Sequence, residues 1–401
     1  MSDLWAQWEA RVDAPALAAL PATLPAAEAI PPRAWLYGTR LIRGFVSVLA
    51  APGGVGKSAL ALGQALALVT GRPILGERVH HPCPAWVMNL EDPLEETQRR
   101  IAALMRLHRI EPAELAGRLF LHSGRDRRIS MAASESGALV HPDRDGIIAA
   151  CRAAGIGLIV VDPFVKSHRL DENSNGDMDA AATAWAEVAE ATGAAILLVH
   201  HVRKSAGEGV EAMRGAKSLS DAARVACLLS PMSEEEARAL SVPARERWRH
   251  VRLDDAKANL APAGEAVLWY RLETVALGNA TEDYPAGDQV AAIAPWKPPS
   301  PFRGLTAADC NRALDLIAAG DAEGAAFSAH RTGRSAGRWA GQVLVDGFGF
   351  EPDEAARVIA AWQSAGLLVE AEYRHPVQRK PRLGLRVIDA KRPTTPKGAS
   401  A

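Results

Sequence analysis

The chain has 401 residues, of which 48% are hydrophobic and 23% charged, and its net charge is −1. This composition is typical of a globular protein, and the length suggests two domains. A net charge near zero excludes a globally basic field for nucleic acid, so any DNA contact must come from local patches.

Signals for membrane insertion and secretion are absent from the sequence. No apolar run is long enough to span a membrane, and the N-terminal segment MSDLWAQWEARVD lacks the apolar core of a signal peptide. The four cysteines lie far apart, without metal or redox spacing, which favours reduced thiols. We therefore expect a cytoplasmic protein that has no membrane partner.

The first segment, residues 1–33, is rich in Ala and Pro and is predicted to form a lightly structured N-terminal arm. Such an arm either packs on a neighbouring subunit or serves as a flexible lead-in. Beyond it, apolar strands and amphipathic helices alternate, and we predict one α/β domain over residues 34–283.

A glycine-rich turn joins a predicted buried strand, residues 45–49, to a predicted apolar helix. Its glycines let backbone N–H groups face an anion, and the dipole of the helix points at the same place. The turn resembles G-x-x-x-x-G-K-[ST], with Ala51 in place of the first glycine, and predicts a loop that binds ATP and Mg²⁺. The predicted nucleotide-binding residues are Pro52, Gly53, Gly54, Val55, Gly56, Lys57, Ser58 and Ala59.

Three further apolar runs, residues 85–90, 156–161 and 194–199, predict buried strands that alternate with helices. This alternation predicts a parallel sheet with helices on both faces. Ligands of such sheets bind at the carboxyl ends of the strands. The polar residues that follow these strands are Glu91 with Asp92, Asp162, and His200 with His201.

The carboxylates at these strand ends predict the chemistry of phosphate transfer. Asp162 resembles a Walker B acid, which would hold Mg²⁺ together with the Ser58 hydroxyl. Pro163 follows it, so the general base must come from another strand, and Glu91 is the candidate, with Asp92 beside it. The alternative for Glu91 is an acid that only favours the N-terminus of the following helix.

Two histidines and a loop arginine extend the predicted site. His200 and His201 are either core histidines or sensors of the γ-phosphate, and their position beside the P-loop favours the sensor. Arg214 lies in a Gly-rich loop, from which it could reach the γ-phosphate of a neighbouring subunit as an arginine finger. The alternative is a solvated loop arginine.

Several segments together resemble the RepA-type replicative helicases of plasmids and phages, which are homohexameric ring ATPases of the RecA/DnaB superfamily. The segments are GFVSVLAAPGGVGKSALALGQA, VMNLEDPLEETQRRI, LIVVDPF, LLVHHVRK, AMRGAKSLSDAARV and LDDAKANLAP. The resemblance covers residues from about 33 to 280. It implies a RecA-like fold, Glu91 as base, Asp162 as Walker B acid, His201 as sensor and Arg214 as a finger in trans.

The same resemblance implies a single-stranded DNA partner, held on central loops of the ring. Arg203 and Lys204 are the candidate contacts to its phosphates. Arg100 and Lys257 match further basic positions of the family, which would face either DNA or the adjacent site.

The C-terminal part differs from the minimal helicases. Residues 284–304 are Pro-rich and are predicted to be a linker. Helices over residues 307–319, 336–345 and 353–365, followed by strands over 367–373 and 383–388, predict a winged helix-turn-helix domain, residues 305–389. The tail, residues 390–401, is predicted to be disordered. The domain would either touch DNA phosphate through its basic hairpin or dock a replication-initiation partner.

The sequence therefore predicts a ring-forming, ATP-dependent DNA helicase for the replication of a plasmid, phage or mobile element. Two alternatives remain open. One is a regulatory DNA-binding ATPase that does not unwind DNA, and the other is a recombination ATPase of RecA type that forms filaments.

Overall fold

A computed structural model of the chain describes residues 22–202, 219, 222–240, 242–260, 267–299, 302, 304–331 and 337–393. Most of the predicted arm and of the C-terminal tail lies outside these residues. Three predicted site residues also lie outside them: Arg203, Lys204 and Arg214.

The larger unit is built on one mixed sheet of nine strands. The described chain as a whole contains fifteen strands, nine α-helices and four short 3₁₀ turns. The strands are β1 (Trp35–Tyr37), β2 (Leu41–Ile42), β3 (Val46–Ala51), β4 (Ala85–Asn89), β5 (Leu119–Ser123), β6 (Ala133–Glu135), β7 (Ala138–Val140), β8 (Leu158–Asp162), β9 (Ala195–His201), β10 (Val225–Pro231), β11 (His250–Ala258), β12 (Leu268–Ala276), β13 (Gln289–Trp296), β14 (Leu368–Arg374) and β15 (Pro381–Val387). The α-helices are α1 (Lys57–Thr70), α2 (Leu94–His108), α3 (Pro112–Leu115), α4 (Arg144–Ala154), α5 (Asn175–Thr192), α6 (Glu234–Ala239), α7 (Ala307–Ala319), α8 (Gly341–Phe348) and α9 (Pro352–Ser364). The 3₁₀ turns are Ala27–Ala29, Phe164–Ser167, Ala244–Arg249 and Asp389–Lys391.

The strand order is β13-β12-β11-β10-β3-β9-β8-β4-β5. The six strands from β10 to β5 are parallel, and β11 to β13 extend the sheet antiparallel. Every residue of β3 and β8 is buried, because helices cover both faces of the sheet. The predicted α/β fold is therefore confirmed, and the core is RecA-like.

Helix α1 is enclosed by the sheet. Twelve of its fourteen residues are buried, in keeping with a sequence that is apolar on every side. One face packs on the parallel strands, while β13 contacts both α1 and α2. Each buried leucine of this helix stabilises the fold by about 1.5–3 kcal/mol. The P-loop thus precedes a helix that is fixed by packing on all sides.

The prediction of a linker over residues 284–304 is wrong for Gln289–Trp296, which form strand β13. Gln289–Trp296 pairs with β12 over its whole length, and Ala292 and Ile293 are fully buried. Proline suggests a linker because it cannot donate to a strand ladder, but β13 is at the edge of the sheet, where this loss is tolerated. Pro295 accordingly lies within the strand, opposite Tyr270.

Two other segments differ from the sequence predictions. The segment 123–141 contains the short antiparallel pair β6–β7, which our sequence analysis did not predict. The second C-terminal helix begins at Gly341 rather than at residue 336, and residues 332–336 lie outside the described chain.

The C-terminal unit has three helices, α7 to α9, followed by the antiparallel hairpin β14–β15. Its core includes Leu314, Trp339, Ile359 and Trp362, all nearly inaccessible to solvent. The order of elements is the predicted one, and the bounds of α7 coincide with the prediction. The assignment of this unit as a winged helix stays a prediction.

All four cysteines are buried and free. Within the described residues, no helix combines the length and hydropathy needed to cross a membrane.

Candidate functional site

The P-loop turn depends on glycine at Gly56. Its φ is +91°, a left-handed conformation that disfavours other residues, and a Cβ there would lie 2.7 Å from Leu272 Cδ2. Gly54 also has a positive φ, of +82°. Ala51, which departs from the phosphate-loop pattern, lies inside β3 and is not among the residues with positive φ. A glycine at position 51 is therefore not required by the backbone.

Lys57, the first residue of α1, is 6% exposed. Its Nζ lies 2.9 Å from Nδ1 of His201, at the end of β9. An ammonium can only donate, so His201 Nδ1 accepts and Nε2 keeps the ring proton. Burial lowers the pKa of Lys57, while Asp162 and Glu91 act in the opposite direction. The predicted phosphate-binding and sensor residues are thus adjacent.

Asp162 ends β8 and is 8% exposed. Burial raises the pKa of its carboxyl, although a hydrogen bond with Ser58 and the charge of Lys57 both favour ionisation. A small cavity is lined by both Ser58 and Asp162. Their hydroxyl and carboxylate oxygens are the hard donors that Mg²⁺ prefers, so this pair fits the predicted Mg²⁺ site, which stays a prediction.

Asn89 is the site residue that our sequence analysis missed. It ends β4 opposite Asp162, and its Oδ1 accepts the backbone N–H groups of Glu91 at 3.0 Å and Asp92 at 2.9 Å. The side chain is 7% exposed. Asn often closes such turns by bonding to the backbone two residues on, and that signal in N-L-E-D could have identified it.

The two carboxylates after β4 have different surroundings. Glu91 is exposed. Among the described residues, its hydrogen bonds are made by its backbone N–H and carbonyl oxygen, not by its carboxylate. Asp92 is half-buried and forms an ion pair with Arg100 Nη2 at 2.9 Å. Arg100 also bonds Glu96 Oε1 at 3.1 Å and lines the small cavity beside Asp162. Arg100 therefore lies in the site, and among the described residues the Glu91 side chain has no partner.

His200 lies deeper than His201. Burial, together with the neighbouring charges of His201 and Lys57, lowers its pKa to about 4. Its Nδ1 is buried and has no partner among the described residues. His200 is therefore neutral at pH 7, whereas His201 is exposed and reaches Lys57.

Lys257, a predicted site residue within the described part of the chain, lies apart from this site. It pairs with Ala226 in β10, which in turn pairs with Val48 near the middle of β3. The carboxyl end of β3, where the P-loop begins, lies further along the strand. Lys257 is thus not brought to the edge that carries Lys57 and Asp162.

A known protein family matches the segment that contains the sheet edge with Lys57 and Asp162. Residues 13–207 match the family model described as AAA domain. The match covers slightly less than half of the chain and supports a P-loop ATPase core. It includes the P-loop, Glu91, Asp162 and both histidines, and it ends before the C-terminal unit.

The described part of the site contains candidates for phosphate binding, Mg²⁺ binding and proton acceptance in nucleotide hydrolysis. Glycine backbone N–H groups and the Lys57 ammonium would bind the phosphates of a nucleotide. Bound Mg²⁺ would neutralise phosphate charge from the Ser58 and Asp162 side. Glu91 follows β4, next to β8, and its carboxylate has no partner among the described residues, so it could orient a water molecule and accept its proton. His201 offers an Nε2–H donor for phosphate oxygen.

Proposed function

We propose that the protein is an ATP-hydrolysing motor that forms rings and moves on DNA, similar to the hexameric replicative helicases of plasmids and phages. One observation carries the proposal: Lys57, Asp162 and Glu91 lie at one edge of the sheet, and the candidate base follows β4 rather than β8. The family resemblance of the motifs supplies the expectation of a hexamer and of a role in replicating a mobile element.

A second subunit would complete the site. The transition state of phosphoryl transfer needs a cation at the γ-phosphate in addition to the P-loop lysine. Arg100 is already bound to Asp92 and Glu96. Glu91 is exposed, so this side of the site is open to a neighbour. We assign Arg214 as the finger that a neighbouring subunit would insert here.

DNA contacts would come from two places. Arg203 and Lys204 follow β9, whose end carries His201, and could link the γ-phosphate to a strand in the ring. In the C-terminal unit, the β14–β15 hairpin bears Arg374, Arg379 and Arg382, which are exposed. Exposed arginines on a hairpin suit contact with phosphate rather than base readout.

The decisive experiment compares ATPase rate, particle mass and strand displacement for the full chain, with Lys57→Ala as the inactive control. A motor should be stimulated by single-stranded DNA, form a closed ring with a non-hydrolysable nucleotide, and displace a strand only when Lys57 is intact. Loss of Lys57 should lower turnover at least about 10²-fold.

Other outcomes of the same experiment would reject the motor. Duplex binding without strand displacement would favour a regulatory DNA-binding ATPase. Open filaments in electron micrographs would favour a recombination ATPase of RecA type.

A further inference from the structure

A polar cleft of about 840 Å³ lies beside the ATPase site, between residues 124–129 after β5 and residues 165–169 after β8. We call it the basic cleft. Four of its side chains are cationic and exposed, and none has an ion-pair partner within the described part of the chain. They are Arg125, Arg128, Lys166 and Arg169. Glu91 and Asp92 line its edge towards the ATPase site, so cations outnumber carboxylates by four to two.

A buried hydrogen-bond donor also belongs to this cleft. His168 is 7% exposed, and its Nδ1 accepts the backbone N–H of Leu170 at 3.3 Å. The neutral ring therefore carries its proton on Nε2. This Nε2 is buried and has no partner among the described residues. A buried donor without an acceptor is costly, and an acceptor supplied by a ligand would remove that cost.

Both walls of the cleft are fixed by backbone contacts. Gly124 N donates to Asn89 O at 2.8 Å, and a Cβ on Gly124 would lie 2.7 Å from the Leu90 backbone. On the opposite wall, Met131 N donates to Ser167 O at 2.7 Å and Arg169 N donates to Ala132 O at 2.8 Å. The cations are thus held on a preformed frame.

The geometry points to a second anion site in the basic cleft, separate from the P-loop, which takes a phosphoryl group. Exposed cations at the rim and a buried N–H donor on the lining residue His168 match an oxyanion with several acceptor oxygens. Asp92 does not oppose this, because Arg100 neutralises it. Arg125 Nε donates to the backbone oxygen of Glu91 at 2.9 Å, so the site adjoins the general base.

Two sources can present this chemistry: the phosphodiester backbone of a nucleic-acid strand, and free inorganic phosphate. The site does not depend on ring formation or DNA unwinding, so it can be tested independently of the motor. Binding is measured with the full chain, while Mg²⁺ and an excess of a non-hydrolysable ATP analogue occupy the P-loop. One arm uses labelled inorganic phosphate in equilibrium dialysis, and the other uses a fluorescent oligothymidylate over a range of salt concentrations.

The test variant is Arg128→Gln with Arg169→Gln, and the matched control is Arg127→Gln. Arg127 lies on the same loop but pairs with Asp143 Oδ1 at 2.5 Å and does not line the cleft. We expect the double variant to bind at least about tenfold more weakly, with a salt slope for the oligonucleotide smaller by about 1.4, since each lost contact to a single strand removes about 0.7. His168→Phe, which removes the donor but keeps a buried ring, should weaken binding about tenfold.

Each outcome has a defined meaning, provided that the variants keep the wild-type circular dichroism spectrum and affinity for the analogue. If the double variant loses only phosphate binding, free phosphate is the ligand. If it loses only oligonucleotide binding, the ligand is the nucleic-acid strand. Loss of both supports a shared phosphoryl site. Binding of both probes by the double variant as tightly as by the Arg127→Gln control would overturn the proposal, as would the absence of wild-type binding in both arms.

Discussion

Three polar residues at and after the end of β4, Asn89, Glu91 and Asp92, have different surroundings and different expected roles. Asn89 accepts two backbone N–H groups and thereby fixes the direction of the chain after the strand. Asp92 is held by Arg100 and by Asn89 Nδ2 at 3.3 Å, so its carboxylate serves the structure of the turn. Glu91 keeps an exposed side chain. The environment, more than the residue type, thus distinguishes the candidate base from its neighbour.

The first prediction concerns this pair. Glu91→Gln should leave nucleotide binding intact and lower turnover at least about 10²-fold, because an amide cannot accept the proton of the attacking water. Asp92→Asn is the matched control and should cost stability more than turnover, because it removes the partner of Arg100. Turnover and nucleotide affinity are measured for both variants. A larger loss of turnover in Asp92→Asn would mean that Asp92 is the base.

A second prediction concerns His200. Its pKa is about 4 in the folded protein and 6.5 ordinarily, so the unfolded chain binds a proton over this range while the folded one does not. The free energy of unfolding is therefore highest, with respect to this group, above pH 6.5, and it decreases as the pH falls towards 4. Linkage gives a loss on the order of 2 kcal/mol between pH 7.5 and 5.

The measurement is the urea unfolding free energy of wild type, His200→Gln and the control His81→Gln at these two pH values. The other histidines are common to all three proteins. His81 is exposed, so His81→Gln controls for the loss of one histidine at the surface. If His200→Gln loses as much stability as wild type on acidification, burial of His200 does not carry the effect.

At the scale of elements, the strand–turn–helix unit of β3 and α1 is predetermined by its sequence. The apolar run, the glycines and the all-round apolar helix each match their observed burial and conformation. The strands β4, β8 and β9 were predicted for the same reason, since a strand buried on both faces is a continuous apolar run.

Other elements carry a weaker local signal. Strand β13 contains Pro295 and is stabilised by distant partners, β12 and α2, which a local pattern does not reveal. Asn89 lies in a short turn beside Asp162 and Arg100, which the fold brings to it from elsewhere in the sequence. The position of Lys257 likewise follows from strand register, which the sequence did not specify.

The third prediction tests the P-loop turn. Gly56→Ala should destabilise the protein by about 1–2 kcal/mol, because Ala is strained at a φ of +91° and its Cβ would crowd Leu272. It should also weaken nucleotide binding by displacing the N–H groups of the loop. Gly53→Ala is the matched control, since Gly53 has no positive φ and no atom within 4 Å of an added Cβ. Equal stabilities and affinities of the two variants would contradict this reading of the turn.

At the scale of the whole molecule, the ATPase unit extends further along the chain than its motifs. The antiparallel strands β11 to β13 continue the sheet until β13 reaches α1 and α2. His108 on α2 contacts Ile293 O at 2.8 Å, which connects β13 to the helix that follows Glu91 and Asp92. The boundary of the ATPase unit should therefore lie after β13, not before it.

The fourth prediction tests this boundary with two truncations, residues 1–299 and residues 1–283. Both lack the C-terminal unit, but only the longer one keeps β13. The longer form should retain basal ATPase activity and the thermal stability of the ATPase unit. The shorter form exposes the faces of α1 and α2 that Ala292 and Ile293 cover and leaves β12 as a bare edge, so it should unfold at lower temperature or aggregate.

A point variant in the full chain separates the contribution of β13 packing from the effects of truncation. Ile293 is fully buried, so Ile293→Ala should cost about 2–5 kcal/mol of unfolding free energy. Val290, on the same strand but only partly buried, provides the control, and Val290→Ala should cost less. Urea unfolding, monitored by ATPase activity, measures both. Equal stability of the two truncations, together with a negligible effect of Ile293→Ala, would mean that β13 is dispensable and that the unit ends at residue 283, where the sequence pattern placed it.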